Sequence, residues 1–242
     1  MNDTNRMISV PRERPILFSG PMVRAILQGR KTVTRRPVKG DQVPRLEYLE
    51  NPEPWVAVGQ HHPRYGFVVY GKTEEECAAK VGELGACPYG KAGDRLWVRE
   101  TWLEDPEDDG TWAYSQYMGC KGSPLSDIPK RFQNPDHCIF RAGWNGSGLR
   151  WRPSIHMPRW ASRILLEITD VRVERLQNIT PAQAVAEGVD GEICREHLET
   201  SPVRHLCREA EILGFAGLWN STGGDWDANP WVWVVEFKRV TS

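Results

Sequence analysis

The chain of 242 residues has no apolar run of membrane length: its most apolar stretches, ILL and WVWVV, fall far short of the roughly 20 residues a spanning helix needs. No membrane association is expected. The six cysteines (Cys77, Cys87, Cys120, Cys138, Cys194 and Cys207) contain no CxxC pair, which removes the usual zinc-ribbon and dithiol patterns. His61, His62, Cys77 and Cys87 could be grouped, but their spacing matches no common ligand set, so neither a metal nor a cofactor is expected. There is also no charge excess. Lys plus Arg number 31 against 32 Asp plus Glu, a net charge of -1, which does not call for a large polyanionic partner. Near the start, Arg6, Arg12, Glu13 and Arg14 stand where a secretion signal needs an apolar run. The expectation is a cytoplasmic protein with free thiols.

What is present suffices for a packed core, since 40% of the residues are hydrophobic. Ser19 and Pro21 open a helix carrying Met22, Ala25 and Ile26 at helical spacing, and Gly29 stops it. Residues 38–92 are rich in Gly, Pro and charge, with a strand expected only at GFVVYG, and read as an insertion. AGDRLWVRETW is a turn feeding a strand, with Leu96, Val98 and Glu100 on one face. Residues 103–150 read as a second irregular insertion, with a strand at HCIFRAGW.

The last third is more regular. Ile164, Leu166 and Ile168 alternate, then Val171 and Val173 alternate in the other phase, which predicts strand with a bend near Asp170. TPAQAVAEG predicts a short helix with Thr180 as cap, Gln183 completing a capping box, Glu187 in the last turn and Gly188 as the stop. SPVRHLCREAEILGFAGLW predicts a longer helix with Leu206, Ala210, Leu213 and Leu218 as its apolar positions. WVWVVEFKRV closes as a strand with Trp231, Trp233, Val235 and Phe237 on one face. Short strands with helices between them and no βαβ rhythm predict an α+β domain around a curved sheet or small barrel.

The most concentrated chemistry is GRKTVTRR, Gly29 to Arg36, with four cations and two threonines. Lys31 and Thr34 would lie on opposite faces of a straight strand, so a turn is needed to bring them to one pocket. Burial and the neighbouring Arg30, Arg35 and Arg36 would make such a lysine readier to give up its proton. It could then serve as a base, with the threonine hydroxyl as nucleophile or as the holder of a water. Cations that only satisfy carbonyls at a helix C-terminus give the same pattern, and spacing does not choose between them. A second unusual stretch, LRWRPSIHMPRWASR, gathers Trp151, Arg152, His156, Arg159 and Trp160, which would suit stacking on a base with cations beside it. Tryptophan is equally a core residue.

GxKxxTxR after a short helix, GDRLWV, the TPAQAVAEG helix and a final strand ending VVEFKRV occur together in an order that resembles the ASCH family. Those proteins have a small β-barrel related to PUA RNA-binding domains. The resemblance covers Pro15 to Val38, Ala92 to Trp102 and Ser162 to Val240, and implies an α+β, PUA-like β-barrel with flanking helices, as a single domain over 1–242 carrying the two insertions. Many ASCH proteins have glutamate where this chain has Thr34, which narrows the likeness to the members that hydrolyse N(4)-acetylcytidine. Their Lys, Thr and Glu match Lys31, Thr34 and Glu187. The resemblance thus implies a metal-independent amidohydrolase, a small nucleoside as substrate and a monomer. Arg36, Arg35, Trp151, His156, Arg159 and Trp160 are the expected substrate contacts. A non-catalytic RNA-binding module and an ASCH ribonuclease are the alternatives.

Overall fold

The two most regularly patterned stretches build the centre of the main sheet in the computed structural model, which describes residues 11–62, 65–84, 87–104, 125–146, 148–191 and 210–241. β9 (Leu165–Arg175) and β10 (Trp231–Arg239) pair antiparallel. Glu236 faces Asp170 and Phe237 faces Ile168, so Thr169 is left over as a bulge. That bulge is the bend expected near Asp170. It explains the phase change, because Ile164, Leu166 and Ile168 point into the core before it and Val171 and Val173 pack there after it.

β1 (Glu13–Leu17), β2 (Val33–Pro37) and β6 (Arg95–Arg99) complete a five-stranded sheet in the order β1-β6-β9-β10-β2. Its edges are β1, which runs parallel to β6, and β2, which runs antiparallel to β10. The sheet does not close into a barrel among the described residues. Its edges nevertheless approach, because Arg36 on β2 donates to the Leu17 carbonyl on β1 at 2.8 Å. Phe18, just past β1, also meets Phe237 of β10 with ring centroids 6.2 Å apart. The architecture is mixed α+β.

The turn before β6 is held by Asp94, which accepts from the backbone N–H of Arg12 at 3.0 Å and of Lys91 at 3.3 Å and from the Arg14 guanidinium at 3.0 Å. Burial alone would push this carboxyl up. The three donors outweigh it and hold the pKa below the usual aspartate value.

Residues 38–92 are more ordered than their composition implied. β3 (Arg45–Leu46), β4 (Trp55–His62) and β5 (Tyr65–Gly71) form a three-stranded antiparallel sheet. The helix α2 (Glu74–Glu83) follows, with the Thr73 hydroxyl accepting from the Glu76 N–H. Ala57, Val69, Cys77, Ala78 and Val81 belong to the same core as Ile16, Leu96 and Trp233, so this segment shares the main core. Gly82 makes the approach close: a Cβ there would lie 3.3 Å from the Val173 backbone nitrogen on β9. β5 is the strand expected at GFVVYG, whereas glycine and charge at the turns hid β3, β4 and α2 from a reading by composition. In the second irregular region β7 (Trp102–Glu104) pairs with β8 (Cys138–Phe140), the latter at the expected HCIF.

Both faces of β10 are buried. Trp231, Trp233, Val235 and Phe237 face the main core as expected, with α1 (Gly20–Leu27) nearby. Val232 and Val234 face a second cluster with Val33, Ala184, Phe215 and Trp219. The last three come from β2's neighbours α3 (Pro181–Ala186) and α4 (Ala210–Ser221). Ser201, Pro202 and Leu206 of the expected longer helix lie outside the described residues. Leu213, expected inside, is 60% exposed, while Phe215, Ala216 and Trp219 are buried. AEILGFAGLW is apolar on most sides, so its periodicity gives no clear inward face.

Candidate active site

The chain leaves α1 at Gly29, whose φ of +74° suits glycine at the end of a helix. The following residues are stitched to the end of α3. Thr32 N–H donates to the Ala186 carbonyl at 2.9 Å, and Arg30 donates to the Gly188 carbonyl at 3.4 Å. α3 itself starts as the sequence predicts: Thr180 accepts from the Gln183 N–H and the Gln183 side chain accepts from the Thr180 N–H. It ends one residue earlier than expected, with Glu187 as its C-cap. Gly188 turns the chain with φ +98°, and a Cβ there would lie 3.1 Å from that of Ala25 and 3.5 Å from that of Lys31. Glycine therefore lets α3 seat directly against the lysine.

Lys31 and Glu187 meet. Nζ donates to Glu187 Oε2 at 2.7 Å, to the Glu187 carbonyl at 2.7 Å and to the Val33 carbonyl at 2.8 Å. Lys31 is 2% exposed and Glu187 3%. Burial lowers the Lys31 pKa, Glu187 offsets part of that effect, and the Arg36 and Arg35 charges add to the lowering. The contact geometry has a chemical consequence. Two of the three partners are carbonyls, which only accept, while the third is a carboxyl oxygen that can accept or donate. An ammonium with a carboxylate and an amine with a carboxylic acid both satisfy all three contacts, so the proton can change owner without heavy atoms moving.

Arg35 is the other cation on Glu187. Its Nη1 lies 3.3 Å from Glu187 Oε1, and its Nη2 lies 3.0 Å from Gln183 Oε1 and 3.5 Å from Glu174 Oε2. It is buried and also lies over the Phe215 ring, 6.0 Å from the centroid. The capping glutamine therefore does double duty, since the oxygen that caps α3 also orients the arginine. Arg35, expected as a substrate contact, lines the cavity and also clamps the Glu187 carboxylate.

Thr34 is 2% exposed and lines a cavity of about 310 Å³ together with Arg35, Arg36, Glu187, Phe215 and Trp219. Its hydroxyl makes no hydrogen bond to the described residues. Lys31 sits behind this cavity, yet the carbonyl it grips belongs to the peptide that joins Val33 to Thr34. Because β2 is an edge strand, side chains from both of its faces border the space. Met22 and Leu218 add apolar wall, Thr222, Gly223 and Gly224 extend it, and Pro37 at the end of β2 and Lys39 just past it border it as well. A pocket of this size with a few convergent polar groups suits a small, flat, partly polar ligand.

The aromatic and basic stretch goes elsewhere. Trp160 packs edge-on against Trp102 at 5.5 Å, Trp151 packs against Trp144 at 6.2 Å, and Arg159 pairs with Glu13 at 2.8 Å. His156 is exposed on a short turn. None of Trp151, His156, Arg159 or Trp160 lines the cavity. Trp160 packs on a separate small core with Trp102, Met157 and Ala161, and Arg159 is spent on a carboxylate. The apolar wall of the cavity instead comes from α4, whose Phe215, Leu218 and Trp219 were not among the expected contacts. A helix apolar on most sides could not announce which residues face a site.

Cys77 and Cys87 are buried apart from this cavity, and burial pushes both thiols up to about 11, which makes them poor nucleophiles. The side chains of His61 and His62 lie outside the described residues. None of the protein-family models, curated proteins and solved structures compared with the chain matches it.

Proposed function

We propose that the chain is an ASCH-type amidohydrolase on a PUA-like sheet, removing the acyl group from N(4)-acylcytidine or N(4)-acylcytosine derivatives. The observation that carries this reading is the buried Lys31–Glu187 contact of 2.7 Å behind a cavity that Thr34 and Glu187 both line. A lysine of lowered proton affinity, a carboxyl in contact with it and a hydroxyl with no partner among the described residues are the parts that amide hydrolysis needs.

The amine–carboxylic acid form of the pair is the competent one. Lys31 turns from Glu187 and takes the proton of the Thr34 hydroxyl, or of a water held by it, while the oxygen attacks the acyl carbon. Glu187 gives its proton to the cytosine N4 as the C–N bond breaks. This leaves an ammonium and a carboxylate, and once Lys31 turns back to its contact with Glu187, transfer between them restores the starting form. If Thr34 itself attacks, water then cleaves the ester by the same groups. Arg35 steadies Glu187 from the far oxygen, and Phe215 and Trp219 offer aromatic faces to the pyrimidine.

The RNA-binding alternatives need a free basic track. Arg152, Arg159 and Arg163 in the basic stretch are instead paired with Glu104, Glu13 and Glu100. That observation favours a small ligand. The test is incubation of the purified protein with N(4)-acetylcytidine, with conversion to cytidine followed by chromatography. Conversion by the parent protein and its loss in a folded Lys31→Ala variant is the expected result. Full activity in that variant, or none in the parent, overturns the reading.

A further inference from the structure

Arg36 is shared by two cavities. Besides bordering the one with Thr34, it lines a second of about 380 Å³ with Pro15, Ile16, Leu17, Tyr89 and Arg99. This second space lies where the two edges of the main sheet approach each other. Two guanidiniums face it. Arg36 donates to the Leu17 carbonyl at 2.8 Å and lies over the Phe18 ring. Arg99 donates through Nε to the Met157 carbonyl at 3.2 Å and through Nη2 to the Ile155 carbonyl, and lies over Trp97. No carboxylate among the described residues forms an ion pair with either one, whereas Arg14, Arg35, Arg159 and Arg163 each have such a partner. Each keeps several N–H donors unused, because a guanidinium carries five.

The surroundings fix these two side chains in place without neutralising them. Carbonyls hold Arg99 on one side and its own strand's Trp97 supports it on the other. The aromatic and basic stretch therefore does reach the site, through the backbone oxygens of Ile155 and Met157. Two fixed forks of N–H donors facing one cavity are the recognition chemistry of a phosphate or carboxylate. A phosphate monoester carries up to two negative charges and matches two guanidiniums.

We infer that this second cavity is an anion subsite that takes the phosphate of a nucleoside 5′-monophosphate whose acylated base occupies the first cavity. This rests on the reading of the first cavity as the cytosine site. Arg36 lies on the border and meets the ligand between its base and its phosphate. A mononucleotide is favoured over an RNA chain because Arg152, Arg159 and Arg163 are each paired with a carboxylate and offer no free track for further phosphates.

The test has two arms. Turnover of N(4)-acetylcytidine and of its 5′-monophosphate is measured for the parent, Arg99→Gln and Arg99→Lys, with thermal unfolding as the control for folding. The parent is expected to prefer the monophosphate in kcat/KM. Arg99→Gln is expected to lower that preference about tenfold, and Arg99→Lys by less. A preference unchanged in folded Arg99→Gln overturns the subsite. The second arm needs no turnover: cytidine 5′-monophosphate, cytidine and a short single-stranded RNA are titrated calorimetrically into the parent and Arg99→Gln. Arg99-dependent binding of the monophosphate in an inactive protein keeps the subsite and removes the hydrolytic reading. Binding of the RNA more tightly than the monophosphate, with a steep salt dependence, overturns the mononucleotide as the source of the phosphate.

Discussion

Replacing Lys31 by methionine keeps most of the buried stem and removes the ammonium from beneath the site. Three contacts are lost, two of them to carbonyls that then lack any other donor from this side chain. Removing one partner of a buried ion pair costs about 3–5 kcal/mol. Glu187 keeps Arg35 at 3.3 Å, so the lower end, about 3 kcal/mol, is expected. For a chain of this length that is a fall in Tm of about 6–12 °C. Urea and thermal unfolding would measure it. A double variant, Lys31→Met with Glu187→Leu, should lose less than the sum of the single changes. The pH dependence follows from the lowered Lys31 pKa. Between its folded value and the ordinary lysine value of 10.5 the unfolded chain holds the extra proton, so the parent gains stability as pH rises through that window. The contribution is complete above 10.5 and is lost as pH falls through the folded pKa. Lys31→Met should lack this rise. A variant within about 0.5 kcal/mol of the parent at neutral pH, with the same pH slope, would refute the buried pair.

Three further changes probe the frame around the site. Arg163→Met leaves the Glu100 carboxylate, 2% exposed, without its guanidinium contacts at 2.9 and 3.0 Å. Because Arg163 is about a quarter exposed, water softens the loss, and a destabilisation of about 2–3 kcal/mol in urea unfolding is expected, largely recovered by adding Glu100→Met. Gly188→Ala forces a left-handed backbone on alanine and crowds Ala25, so a loss of about 1–3 kcal/mol is expected, with activity falling as Glu187 shifts. Asp94→Asn should cost about 1–2 kcal/mol at neutral pH. That difference should shrink as pH falls through the lowered Asp94 pKa, since the carboxylate's contribution is present above the ordinary value of 3.8 and lost below the folded one.

The parts of the fold legible in the sequence were those where one physical signal acted alone. The phase change between Ile168 and Val171 marked the Thr169 bulge because both faces of that register are set by burial. Thr180, Gln183 and Gly188 marked α3 because caps and stops are local chemistry. β5 was read at GFVVYG, but β3, β4 and α2 were missed because their apolar residues are separated by glycine and charge, and only packing on β9 gives them an inward face. At the site, the turn that joins Lys31 to the strand was readable from Gly29. Glu187 was reached only through resemblance, since nothing local distinguishes it from other helix carboxylates. The hold of Arg35 on Glu187 was not readable because sequence shows a charge and not its partner. The tryptophans of the Leu149 to Arg163 stretch looked like a stacking platform for the same reason, whereas Trp102 had already claimed Trp160.

The most direct measurement compares kcat/KM for N(4)-acetylcytidine in the parent and in Thr34→Val, side by side with their unfolding curves. The Thr34 hydroxyl has no partner among the described residues, so its removal in valine leaves no donor or acceptor there unpaired and stability should change by less than about 1 kcal/mol. Activity should fall at least about a hundredfold, because the group that attacks or holds the water is gone. A folded Thr34→Val that hydrolyses the amide as fast as the parent would contradict the assignment of this cavity as the place where the acyl group is removed.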